Sequence, residues 1–161
     1  MKKIRILGVD PGYAIVGFGV LEYDGVRFTP IEYGAVLTEA HTPFPQRLKA
    51  IHDDVEFIFE KYAPQCMAIE KLYFTSNQKT GIDVAQARGV TVLSAAKRGI
   101  PVFEYTPLQV KSAVVGYGKA EKKQVMEMTR QILGLAQIPK PDDAADALAI
   151  AICHGHSARW G

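Results

Sequence analysis

"RILGVDPGYAIVGFGV", residues 5–20, decides the fold. Its first part is an apolar run of strand length that ends on Asp10, and Pro11-Gly12 follows at once as a turn signal. Residues 14–23 continue as a second strand. Asp24-Gly25 is a hairpin signal before a third, from Arg27 to Leu37. Three strands joined by short turns make a meander. A carboxylate that closes an apolar strand is unusual, and it raises the question of what the strand end is for.

Outward from the meander, the apolar period changes. Leu48, Ile51, Val55, Ile58, Phe59 and Tyr62 recur at spacings of three and four between Pro43 and Tyr62, which predicts a helix with one apolar stripe, stopped by Pro64. "CMAIEKLYF" (66–74) reads as a fourth strand and "TSNQKTG" (75–81) as a polar loop. "IDVAQARGVTVLSAAKRG" follows as a helix whose small residues Ala85, Gly89 and Ala96 admit another backbone, so it is expected to be buried on more than one side. "PVFEYT" is a fifth strand. "PLQVKSAVVG", "AEKKQVMEMTRQILG" and "DDAADALAIAICHGH" are three further helices. Strands first and then alternating helix and strand predict an α/β fold: a mixed five-stranded sheet with helices on both faces.

The 161 residues fit one domain, 1–161, with 48% hydrophobic and 22% charged residues and neither a repeat nor a linker-like run. A net charge of +2 decides nothing about nucleic acid, because phosphate attraction depends on where basic groups cluster. No segment approaches the roughly 20 apolar residues that span a bilayer, and "MKKIRILGVD" runs into a strand without a cleavable apolar core, so the expected compartment is the cytoplasm. Cys66 and Cys153 lie in apolar surroundings without CxxC spacing and read as buried reduced thiols.

Four acids stand out. Asp10 and Glu70 each close an apolar strand, the place where open α/β sheets put their chemistry. Asp143 and Asp146 stand at i and i+3 at the start of the last helix and share a face. Each acid has a plainer explanation. Asp142 or Asp143 can cap the helix, Asp146 can pair with a lysine, Glu70 can be an exposed strand-end charge, and Asp10 can serve the turn. Together they ask for more, since two carboxylates about 4 Å apart repel by roughly 4 kcal/mol at an effective dielectric near 20. A cation is the remedy. Oxygen ligands without paired His or Cys favour Mg²⁺ or Mn²⁺. Two such ions clamp a phosphodiester, one activating water and the other stabilising the leaving oxygen.

"GVDPGYAIVGFGV", "AIEKLYF", "AQARGV", "YTPLQVKSAVVGYGKAEKKQV" and "DDAADALAIAICHGH" together resemble, in order and along essentially the whole chain, the RuvC family of Holliday junction resolvases. The resemblance implies a ribonuclease H-like fold and a homodimer that cuts four-way DNA junctions by paired, metal-dependent nicks, with a branch-migration motor as partner. It matches Asp10, Glu70, Asp143 and Asp146 to the family's catalytic acids, and it puts Lys111 and Lys122 at family basic positions. Tyr73 or Phe74 falls where the family has an aromatic residue facing the junction centre.

The residues themselves leave choices open. Lys111, Lys119, Lys122 and Lys123 fall within thirteen residues with Gly116 and Gly118 between them, which makes either a phosphate-tracking segment or a solvated helix face. Tyr73 and Phe74 can stack on an unpaired base or pack a strand end. His154 and His156 lie more than two turns beyond Asp146 and read as remote from any metal. The small-residue helix, from about Thr80 to Lys97, is either the dimer surface or a close packing surface within the chain. The Asp-Pro-Gly hairpin also looks like that of actin-like kinases and ATPases, which need a second such domain that a chain of this length lacks. A non-catalytic DNA-binding module and a nuclease for RNA/DNA hybrids are the remaining alternatives.

Overall fold

The computed structural model describes residues 1–12, 14–72 and 78–160. Strands β1 (Ile4–Asp10), β2 (Ile15–Tyr23) and β3 (Phe28–Leu37) form the antiparallel meander that the turn signals predict. Asp24 makes the β2–β3 turn by accepting the Val26 and Arg27 N–H groups at 2.8 and 2.7 Å, while Gly25 takes φ +98°. α1 (Phe44–Tyr62) then carries the chain to β4 (Cys66–Glu70), parallel to β1, and α2 (Gln78–Lys97) carries it to β5 (Val102–Tyr105), parallel to β4. The order across the sheet is β3-β2-β1-β4-β5, so the first strand is the central one. α3 (Pro107–Val115), α4 (Lys122–Leu133) and α5 (Asp142–Ser157) complete the chain.

Side-chain alternation divides the core in two. Leu7, Val9, Met67 and Ile69 pack with Ile51, Val55, Ile58 and Phe59 of α1 and with Ala87 and Ala95 of α2. Ile6, Cys66 and Ala68 point the other way, into a cluster with Leu148 and Ile152 of α5, Val110 and Val114 of α3, and Val125 of α4. Helices therefore cover both faces. Cys66 and Cys153 are buried and free.

Four local expectations change. β4 stops at Glu70 instead of running on to residue 74, because its neighbour β5 has only four residues and the ladder ends with Lys71 N–H donating to the Tyr105 carbonyl at 2.8 Å. α2 begins at Gln78, so the end of the expected polar loop is helical. Pro141 is the residue that starts α5. Asp142 is its first helical residue and makes no capping hydrogen bond, although it keeps the favourable position for an acid in a first turn. Gly89 and Ala96 of α2 face solvent, and a Cβ added at Gly89 would meet nothing within 4 Å, so these small residues do not serve packing within the chain. Tyr73 and Phe74 lie outside the described residues.

Candidate active site

The same alternation that splits the core sets the acids. Asp10 follows Ile6 and Gly8 on the α5 face of β1, and Glu70 follows Cys66 and Ala68 on the α5 face of β4. The two strands are parallel neighbours with Val9 beside Ile69, so both carboxylates emerge at the same end of the sheet. α5 brings the other two. Its backbone lies on β1 and β2 because those strands lack side chains where it crosses: a Cβ at Gly8 would stand 2.0 Å from the Ala147 carbonyl oxygen, and one at Gly17 would stand 2.0 Å from that of Asp143. Gly17 is the cross-strand partner of Asp10. The missing side chain there seats the first turn of α5, with Asp143 and Asp146, against the end of β1.

The electrostatics register this crowding. Burial, then repulsion from Asp146, Glu70 and Asp143, pushes the Asp10 carboxyl up to about 8, and a hydrogen bond that it shares with Asp146 adds to the rise. Glu70 is raised by burial and by Asp146, against a hydrogen bond from Asp10 and the charge of Lys122. Burial raises Asp146 too, opposed chiefly by Lys122, whose Nζ lies 3.5 Å from its carboxylate. The plainer explanation of Asp146 as a lysine's partner thus holds in part. Its partner, however, also belongs to the site. Among the described residues no three Asp, Glu, His or Cys side chains are gathered tightly enough to enclose an ion as they stand. The acids meet about Asp10, whose carboxyl shares hydrogen bonds with Asp146 and Glu70.

That arrangement fits a divalent cation. The donors are all carboxylate oxygens, the choice of hard ions. Lys122 offsets only part of the negative charge of this cluster, and a cation would supply the rest.

Glu70 and Asp146 line a cavity of about 260 Å³ together with Lys111 and Lys122, walled by Pro107, Val110, Val125, Ala149 and Ile150. Two of the four lysines thus share a cavity with the acids. Lys119, on the α3–α4 loop, and Lys123, in the first turn of α4, are exposed and do not line the cavity. His154 is fully buried with Nδ1 2.7 Å from the Tyr105 hydroxyl, and His156 meets the Ala113 carbonyl, so both lie apart from the acids as expected.

Two residues that the sequence reading passes over also belong to this region. Tyr117 stands exposed on the basic loop, its hydroxyl accepting from Gln124 Nε2 at 2.8 Å. Its signal was an aromatic ring between two glycines and beside a lysine. Arg88 of α2 donates to the Glu70 carbonyl; it stands in the "AQARGV" segment of the family resemblance, which gave it no role.

An antiparallel meander extended past its first strand by two parallel strands, with acids at the ends of β1 and β4 and at the start of the covering helix, defines a nuclease of the ribonuclease H-like class. Residues 6–154 match the family described as "Crossover junction endodeoxyribonuclease RuvC", and the chain belongs to that family. The protein of that name from Desulfitobacterium hafniense (strain DSM 10664 / DCB-2) is 55% identical over 152 residues, covering 94% of this chain and 92% of its own. The one from Clostridioides difficile (strain 630) is 54% identical, with 94% and 90% covered. The fold matches Thermus thermophilus RuvC in complex with a Holliday junction substrate at a TM-score of 0.91 and 34% identity, covering 95% of this chain and 93% of that one. The yeast mitochondrial Holliday junction resolvase Ydc2 shares the fold at a TM-score of 0.69 and 14% identity, covering 94% of this chain and 78% of its own.

Proposed function

We propose that this nuclease resolves four-way DNA junctions by hydrolysing one phosphodiester in each of two strands of like polarity, with Asp10, Glu70, Asp143 and Asp146 as its catalytic carboxylates. The observation that carries the reading is the convergence of acids where the ends of β1 and β4 meet the start of α5, with Glu70 and Asp146 on one cavity. The four acids would hold Mg²⁺, or Mn²⁺ in its place. Two such ions would supply the charge that makes water nucleophilic and that offsets the negative charge gathering on the leaving oxygen.

The chain's own part is positioning. Asp10 and Glu70 are fixed by the ends of two hydrogen-bonded strands and Asp143 and Asp146 by the first turns of a packed helix, so little is left to reorganise when substrate arrives. Lys122 is 60% exposed and free to exchange Asp146 for a DNA phosphate. Lys111 stands on the same cavity wall, and Lys119 and Lys123 extend the basic surface along the backbone. Cleavage breaks the P–O3′ bond, leaving a 5′-phosphate and a 3′-hydroxyl with no covalent enzyme intermediate. Tyr73 or Phe74, just beyond Glu70 in sequence, would stack on a base unpaired at the junction centre.

Two cuts of like polarity call for two sites related by a two-fold axis, hence a homodimer. α2 supports this assignment. Ile82 (53% exposed), Gln86, Gly89, Leu93 (56%) and Ala96 lie along its outer side at spacings of three and four, a largely apolar, small-residue stripe without cover from the described residues of the single chain. A branch-migration motor as further partner rests on the family resemblance. The cytoplasm is the compartment that suits two buried free thiols.

The test is a labelled synthetic four-way junction in Mg²⁺ with both cuts mapped, beside an RNA/DNA hybrid. Paired symmetric nicks with 5′-phosphate ends are expected on the junction. Asp146→Asn and Glu70→Gln should bind it without cutting. Undiminished cleavage by both variants, or preference for the hybrid, would overturn the proposal.

A further inference from the structure

The carbonyl of Glu70 sits where the ladder frays. The last β1–β4 pair is Val9 with Ile69, so β1 offers no partner for the next position, and the β5 side continues only through Lys71 N–H and the Tyr105 carbonyl. Arg88 fills the gap from α2. Its Nε donates to the Glu70 carbonyl at 3.3 Å, while Nη2 donates to Glu104 of β5 at 2.7 Å. The Arg88 side chain is only 17% exposed while its Glu104 partner is 50% exposed, so the contact to the Glu70 main chain is the more shielded of the two. Three elements converge on one planar fork: the strand end carrying Glu70, the edge strand β5, and the helix with the uncovered stripe.

The charge is placed with equal economy. The positive group touches the main chain of Glu70 and the carboxylate of Glu104, so it holds the residue in place without pairing with the carboxylate that the site uses. Gln86, two residues before Arg88, and Gly89, directly after it, are positions of the outer stripe. Whatever fixes that stripe also fixes the base of the Arg88 side chain.

We propose that Arg88 is a positioning residue for Glu70, bracing the end of β4 against α2 so that the helix assigned to the dimer contact and the carboxylate move as one unit. This rests on Glu70 being a site carboxylate, as argued above. A main chain held at the residue itself narrows the positions open to its side chain, and sub-ångström placement matters for both ligand geometry and rate. Lysine is a poor substitute, since a single ammonium does not reproduce a fork that spans two partners.

The experiment compares Arg88→Met, Arg88→Lys, Glu104→Gln and Glu70→Gln as full-length proteins. It measures single-turnover cleavage of a four-way junction in Mg²⁺, junction affinity without divalent metal, calorimetric binding of Mn²⁺ alone, mass in solution and thermal midpoint. Arg88→Met should cut about 10- to 100-fold more slowly and bind Mn²⁺ about tenfold more weakly, the range seen when groups supporting metal ligands are removed. Its junction affinity and dimer mass should be unchanged. Arg88→Lys should recover part of both losses, and Glu104→Gln should show the same changes in smaller measure. If Arg88→Met does not fold, the latter two variants carry the comparison. Wild-type rate and Mn²⁺ affinity in the folded Arg88 and Glu104 variants, with Glu70→Gln inactive, would overturn the brace alone. An active Glu70→Gln would overturn the site reading beneath it. A loss of rate matched by an equal loss of junction affinity would also overturn the brace, because it would mark Arg88 as a DNA contact.

Discussion

Asp10 carries the sharpest consequence at the scale of a residue. Its carboxyl lies far above the ordinary value of 3.8 because burial and three neighbouring acids oppose its charge. For an acid raised on folding, the protonated form favours the native state, so its contribution is intact below the ordinary carboxylate range and is lost as pH climbs towards about 8. The metal-free protein should therefore melt at progressively lower temperature between about pH 4 and 8. Asp10→Asn should flatten that slope, and Mn²⁺ should restore the wild-type midpoint at the alkaline end while releasing protons. Scanning calorimetry across this range checks all three; a slope unchanged in Asp10→Asn would refute the crowding. Asp10 was legible in the sequence because a carboxylate after an apolar run contradicts its surroundings. Arg88 was not, since an arginine among polar and small residues of a helix reads as an ordinary solvated position, and only the fold reveals the carbonyl within its reach.

At the scale of elements, the close seating of α5 on β1 and β2 makes the site. Gly17 allows it, and Gly17→Ala would place a Cβ 2.0 Å from the Asp143 carbonyl oxygen, backbone that cannot swing aside like a side chain. The start of α5 must then lift. We expect a loss of about 1–3 kcal/mol in denaturant unfolding, the usual cost of overpacking. Junction cleavage should fall more than binding, because Asp143 and Asp146 move with the helix. Stability and cleavage both at wild-type levels would contradict this seating. The apolar stripe of α1 and the turn residues of the meander were plain in the sequence, since periodicity and turn chemistry are local. The end of β4 and the start of α2 were not. Where a strand stops depends on how long its neighbour is, and β5 lies more than thirty residues further on.

For the whole molecule, the meander could be foreseen but the place of its first strand at the centre of the sheet could not. Short turns reveal which strands are sequential neighbours, whereas the parallel contact of β1 with β4 joins residues some sixty apart. The convergence of the acids followed from the family resemblance more than from any spacing. The pairing of Lys122 with Asp146 across α4 and α5 became visible only in three dimensions. The uncovered stripe on α2 makes its own prediction. Leu93→Glu should convert the proposed dimer to a monomer in sedimentation, and that monomer should leave unpaired single nicks in junctions; an undiminished dimer would move the interface elsewhere. The central claim is that carboxylates from β1, β4 and α5 gather divalent ions. Anomalous scattering from a crystal soaked in Mn²⁺ tests it most directly. Peaks bounded by Asp10, Glu70, Asp143 and Asp146 are predicted, and Mn²⁺ bound only at other surfaces would contradict the account.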